Sequence, residues 1–415
     1  MTRPLSLRRA RTARGAAAFL AAASVLLSAA VTAPSADADT AVTPKGGELV
    51  VKGAGFGHGH GMSQYGAYGA ARSGLRWQQI LAFYYPGTRL ETLPAKSTVK
   101  VWITADTDDD LVALPATGLR VSDSHHHHLT LPTGSKYRAW RISRSGSGFR
   151  VAWRSSAGAW TTLGTALDAS NWGFSTTAKV VTVQLPAGSR REYRGSVALV
   201  KRGSGGRTVD KVGIDDYVRS VVPSEMPTSW APDAVRAQAV AARSFAIYTR
   251  DSTRHSGYDV CDTPSCQVYS GRATISTSGR RTVHENKAGN AATKATARAI
   301  LTYGGKAALT QFASSNGGAV ASGGLPYLRA KNDPYDAKIT SQDWSRTITA
   351  AAVARAYPSV GSVRSLRVTK RDGSGRWGGR VEKIQVVGSK KTITVGGGSF
   401  QGAFGLRSTL YRIAS

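Results

Sequence analysis

Cysteine is the scarcest residue of this sequence, and acidic residues are few beside basic ones. Asp and Glu total 25 against 55 Lys and Arg, a formal net charge of +30, so strongly cationic partners are excluded as long-range ligands. The two cysteines, Cys261 and Cys266, exclude a disulfide-dense scaffold. As an isolated close pair, they read most simply as one small loop closed in an oxidising compartment. No apolar run after the first 38 residues is long enough to span a bilayer. No His-Glu-x-x-His string is present, so a helix-borne zinc hydrolase is the weakest of the enzyme readings. The same charge would suit a nucleic-acid binder, but no nucleic-acid motif accompanies it.

What is present begins with an export pattern. Arg3, Arg8, Arg9, Arg11 and Arg14 precede an apolar stretch from Gly15 to Val31, and Ala36-Asp37-Ala38 offers a small-x-small exit. The apolar stretch is shorter than the roughly 20 residues of a spanning helix. It therefore reads as a cleaved signal peptide over 1–38, with a secreted product starting near Asp39.

The rest has the length of one large or two modest domains. Residues 39–47 read as a linker. Residues 48–95 hold a Gly-dense loop, GAGFGHGHGMSQYGAYGAA, then a helix over SGLRWQQILAFYY that Pro86-Gly87 stops. Residues 96–212 alternate in short runs such as VKVWI, FRVAW and KVVTVQL, which predicts a β-rich region. Residues 213–415 carry an Ala-rich helix, APDAVRAQAVAARSFAIYTR, expected to be capped by Ser229 with Pro232 and Asp233 in its first turn. A second Ala-rich helix over 287–298 and several strands follow, closing with GLRSTLYRI. The fold class is α+β: mixed, β-rich sheets around a central small-residue helix, with a cleft.

Three groups of residues could carry chemistry. In VVPSEMP, Glu225 stands between two prolines at an expected strand–helix junction, where catalytic groups are often presented; by position alone the commoner reading is an acid at a helix N-terminus complementing the dipole. His58 and His60, two apart in a Gly-rich string, could contact a ligand, assist proton transfer or bind a metal, or simply hydrogen-bond within the fold. Four consecutive histidines, His125 to His128, have poor ligand geometry and read as a solvated turn.

The string VGIDDYVRSVVPSEMPTSWAPDAVRAQAVAARSFAIY resembles the central segment of the SpoIID/LytB family, through Tyr217, Glu225, Met226, Pro227, Gln238 and Arg243. CQVYSG from Cys266, SSNGG from Ser314, PYL from Pro326 and GHGHGMSQ from Gly57 agree with the same family. The resemblance implies a lytic transglycosylase that cleaves the MurNAc–GlcNAc bond and leaves a 1,6-anhydro end, without metal or cofactor. Glu225 would be its acid–base group and Arg243 a second catalytic residue. His58, His60, Gln64, Gln238, Tyr327 and Arg329 would contact substrate, Arg329 standing where relatives often have Lys. Some members bind zinc with a His-Cys-His-Cys set; His255, Cys261 and Cys266 match, but Ser265 stands where the third ligand, a His, would sit, which favours a disulfide over zinc. The implied partners are peptidoglycan strands and anionic wall polymers. The alternative is a non-catalytic wall binder that enhances a cell-wall amidase. Relatives end with the closing strand followed by the Gly-His-Gly element; here that element comes first, which implies a circular permutation with adjacent ends.

Overall fold

The computed structural model describes residues 39–414 other than 124, 126, 168–170, 253–255 and 340–341. The expected signal peptide, His126 and His255 lie outside the described residues.

Three hydrophobic cores organise the chain. The first fills the β-rich region. Its sheet has 13 strands, among them the long Trp172–Gln184, Arg190–Arg202 and Gly205–Gly213, which pair antiparallel in sequence order. Period-two burial is plain in Thr98–Trp102, where Val99 and Val101 go inside and Lys100 outside. Tyr193, Val197 and Leu199 continue that face onto helix α3 (Ile214–Glu225; below).

Helix α1 (Gln64–Arg72) is capped by Ser63, whose hydroxyl accepts from Gly66 N, and α2 (Trp77–Tyr84) follows it. The run before Glu225 is also helical, correcting the expected strand. Its valines favour strands by propensity, but Ile214, Tyr217, Val218, Val221 and Val222 fall at helical spacing and are all buried. Packing decides against propensity, and α3 continues through Pro223 to end on Glu225.

Helix α4 (Pro232–Ser252) sits at the centre, buried on most of its surface from Ala234 to Ile247. It touches α1, α2, α3 and α5 (Lys287–Ala295). Alanine and serine on α4 permit that crowding because they add little between helix axes. The helix starts at Pro232, three residues after the expected cap Ser229; proline's missing N–H costs nothing in a first turn.

The third core belongs to a lobe built from both ends of the body. Strand Glu48–Gly53 lies between Trp344–Thr349 and Tyr411–Ala414, antiparallel to both, with Val51 opposite Ile413. The ends therefore meet, as the expected order of elements requires. A hairpin sheet of Val363–Arg371, Val381–Gly388 and Thr392–Gly396 shares this core through Leu366 and Ile384, together with Phe400 of the helix Gly397–Phe404. Residues 39–47 are not a free linker. Asp39 N donates to Val368 O, Val42 bridges Leu366, and the Asp39 carboxylate pairs with buried Arg371.

Candidate active site

A cleft of about 520 Å³ opens where four distant strings converge, and Glu225 lines it. Phe56 and His58 come from the Gly-rich loop, Gln64 from α1, Cys266 and Val268 from the CQVYSG string, and Gln311 leads into SSNGG.

Glu225 closes α3, where helix carbonyls have run out of intrahelical partners. Its own carbonyl accepts from Gln64 Nε2 at 3.0 Å. Its carboxylate Oε1 accepts the backbone N–H of Val268 at 2.7 Å. That N–H is held in place from α3 itself: Tyr217 OH donates to Gln267 Oε1 at 2.9 Å, and Ser220 Oγ to Gly271 O at 2.8 Å. Burial raises the Glu225 pKa above the ordinary carboxylate value, against the pull of the Val268 bond. The group is therefore biased toward the protonated form that an acid catalyst needs. Glu225 is the sole carboxylate among the described residues that line the cleft.

The Gly-rich loop brings His58 to the cleft beside His60, their rings 5.0 Å apart, and His60 N donates to His58 Nδ1 at 2.9 Å. Burial, His60 and the Arg380 guanidinium push His58 down to about 4. Burial and Arg380 lower His60 as well. Both are neutral near pH 7, hydrogen-bonding groups rather than acids. Arg380 is buried, and Gly57 O and Asn316 O accept from it at 3.2 Å each. A Cβ on Gly59 would lie 2.1 Å from Arg380 Nη2, so the loop passes the guanidinium only as glycine.

Two buried acids brace SSNGG, Asp336 against the end of this loop and Asp333 against α2. Asp336 accepts from Ser63 Oγ at 2.8 Å and Ser315 Oγ at 2.9 Å; Asp333 accepts from Tyr84 OH and Asn316 Nδ2, both at 2.7 Å. Sequence reasoning missed both; their spacing in NDPYD was the available signal. It also missed Val268, which acts through its backbone and leaves no side-chain signature.

Several expected site residues lie elsewhere. Arg243 is fully buried on α4 and pairs with Asp215 at 2.8 Å, also donating to Ala299 O at 2.9 Å. Asp215 is in the first turn of α3 and Glu225 at its end, roughly 15 Å away along the helix. Arg243 is thus a structural cation, not a cleft residue. Gln238 is buried behind Gln64, whose Nε2 it accepts at 3.4 Å. Tyr327 packs under Tyr303 and its hydroxyl accepts from Leu309 N at 2.9 Å. Arg329 Nε turns back onto Pro326 O at 2.6 Å. None of these three lines the cleft. Cys261 and Cys266 are disulfide-bonded, so neither presents a thiolate to zinc, and Pro264, Ser265 and Cys266 form one cleft wall. The His127 ring and backbone bond to Asp123 in a turn.

Residues 202–303 match the family model of the stage II sporulation protein SpoIID, a span containing Glu225, Gln238, Arg243 and both cysteines. The chain is 34% identical over 138 residues to the amidase enhancer of Bacillus subtilis, covering 32% of this chain and 17% of the relative. It is 32% identical over 157 residues to stage II sporulation protein D of the same organism, covering 35% of this chain and 46% of the relative. Stage II sporulation protein D of Bacillus amyloliquefaciens is 31% identical over 153 residues, covering 34% of this chain and 44% of the relative. The chain thus spans less than half the length of each of these relatives. Over the core that carries Glu225 and the disulfide, the chain is similar to the SpoIID family and to an amidase enhancer.

Proposed function

We propose that this chain is an exported lytic transglycosylase of peptidoglycan, with Glu225 as its single acid–base group. The observation that carries this reading is a buried, pKa-raised carboxyl alone in its cleft. Glycosidases that use water position two carboxyl groups about the scissile bond. A single carboxyl suffices when the nucleophile is the substrate's own hydroxyl. Glu225 protonates the leaving glycosidic oxygen, and the C1–O bond breaks. It then takes the proton from the MurNAc 6-hydroxyl as that oxygen bonds C1. The product is a 1,6-anhydro end and no water is consumed. Neutral His58 and bare glycine backbone would contact the sugar.

The test is incubation of purified protein with intact and amidase-stripped glycan strands, followed by mass analysis for anhydro ends. They should appear with the native protein and vanish with Glu225→Gln, whose amide cannot deliver the proton. A second reading rests on the relative named an amidase enhancer. On it, neither protein yields anhydro ends, but both accelerate stem-peptide release by an added cell-wall amidase.

A further inference from the structure

The lobe that joins the two ends of the body carries a second concavity, of about 370 Å³, which the proposed reaction does not use. Lys52, Arg376, Arg412, Trp344, Trp377 and Asp343 line it. Three features of it work against stability unless something binds there.

Lys52 and Arg412 are register partners across an antiparallel strand pair, both exposed, and no hydrogen bond or ion pair neutralises either among the described residues. Like charges placed directly opposite destabilise a sheet. Trp377 adopts φ 57° and ψ 26°, a left-handed conformation that costs a bulky residue free energy and suits glycine. Its neighbours Gly375, Gly378 and Gly379 also have positive φ. The Trp377 ring gains no core burial in return: it is half-exposed and outside all three cores. Instead the guanidinium of Arg376 sits 4.5 Å above it and that of Arg412 5.7 Å away. Arg376 also pairs with exposed Asp343, the one carboxylate among the described lining residues. Three cations against one acid leave the concavity net positive.

We propose that this concavity is a binding site for an anionic saccharide, with the Trp377 ring stacking on a sugar face and Lys52, Arg376 and Arg412 pairing with carboxylate or phosphate groups. Guanidinium forks suit both anions, and a flat ring matches the C–H face of a pyranose. Position supports the assignment. Gly53 lines this site and Phe56 lines the Glu225 cleft, three residues and no more than roughly 11 Å apart along the chain. Phe56 is 51% exposed, with the Arg407 guanidinium 5.9 Å from its ring. Aromatic rings and cations therefore run from the concavity to the cleft mouth. A strand held in both would be gripped away from the bond being cleaved. The proposal rests on the preceding reading only in taking the ligand to be a wall saccharide; it requires no turnover.

The test measures binding in a Glu225→Gln background, so that failure of catalysis cannot be mistaken for failure of the site. Trp377→Gly removes the ring while easing the backbone, and Arg412→Gln removes a cation from an exposed strand position. Probes are wall sacculi stripped of secondary polymers, the isolated phosphodiester polymer, a neutral chitin oligosaccharide and a single-stranded oligonucleotide. Each substitution should weaken binding to an anionic wall probe by about tenfold, the scale of one cation–π or charge-assisted contact. Loss on stripped sacculi identifies carboxylates as the anion, and loss on the phosphodiester polymer identifies phosphates. Unchanged affinity for both wall probes overturns the proposal. So does a Trp377 dependence seen only with the oligonucleotide, or equal binding of the neutral oligosaccharide.

Discussion

Gln64 and Glu225, 161 positions apart in sequence, are joined by a hydrogen bond of 3.0 Å from the Gln64 amide to the Glu225 carbonyl. This bond fastens α1 and its Gly-rich approach to the end of α3. It supplies a partner to a helix-terminal carbonyl that would otherwise lack one. It also orients the backbone from which the Glu225 side chain departs.

Gln64→Ala should therefore act on both stability and chemistry. Removing the amide leaves the Glu225 carbonyl and Gln238 Oε1 without their donor, a cost of about 1–3 kcal/mol for buried polar groups. Release of anhydro ends should fall further than the loss of folded protein explains. Chemical denaturation alongside the glycan assay separates the two. A variant with native stability and native activity would remove Gln64 from the site.

How much of this was legible in sequence depends on which atoms do the work. The place of Glu225 in the cleft was legible through the long strings that resemble a known family, and the disulfide through the isolated close spacing of Cys261 and Cys266. Val268 was not, because its contribution is a backbone N–H that any residue but proline carries. The helical state of VRSVVPSE was hidden by valine's strand propensity, and only the core behind Tyr217 and Val221 resolves it. Arg243 was misplaced because the same string carries both Glu225 and the packing of α4. A helix matched over its length does not say which of its faces meets the cleft. The adjacency of Glu48–Gly53 and Tyr411–Ala414 was legible only through the resemblance, which supplies the order of elements in relatives.

Glu225→Gln should stabilise the protein, with a defined pH dependence. The folded state raises the Glu225 pKa, so it binds this proton more tightly than the unfolded chain does. Stability contributed by the group is complete below the ordinary glutamate value of about 4.3 and falls as pH climbs toward the raised one. Glutamine has no such loss and keeps an oxygen for the Val268 N–H. Thermal melts should show the variant roughly 1–3 °C more stable at pH 7.5, as for other relieved active-site groups, and level with the native protein near pH 3.5. A lower Tm at pH 7.5 would make Glu225 a structural carboxylate instead.

Asp215→Asn should destabilise the fold by leaving the buried Arg243 guanidinium without its anion. Loss of a partner from a buried pair costs on the order of 3 kcal/mol, less here because the Asp215 side chain is 30% exposed. Arg243→Met should also lower the denaturation midpoint, and the double variant should be less destabilised than the two single losses added together. If Asp215→Asn keeps native stability while anhydro release collapses, Arg243 belongs to the chemistry after all.

The disulfide should tune the acid through Val268. Pro264, Ser265 and Cys266 wall the cleft, and the chain reaches the Val268 N–H two residues later. Replacing both Cys261 and Cys266 with serine frees a short loop whose closure is worth roughly 2 kcal/mol in unfolded-state entropy. The denaturation midpoint should drop accordingly. Looser positioning of Val268 also weakens the one hydrogen bond that lowers the Glu225 pKa, leaving burial less opposed. On the proposed mechanism the acid must be protonated to act, so activity should be lost as pH rises through that pKa. In the double-serine protein the alkaline limb of the pH profile should therefore move to higher pH, even as maximal activity falls. An alkaline limb that stays in place while stability drops would confine the disulfide to holding the loop, with no influence on the acid.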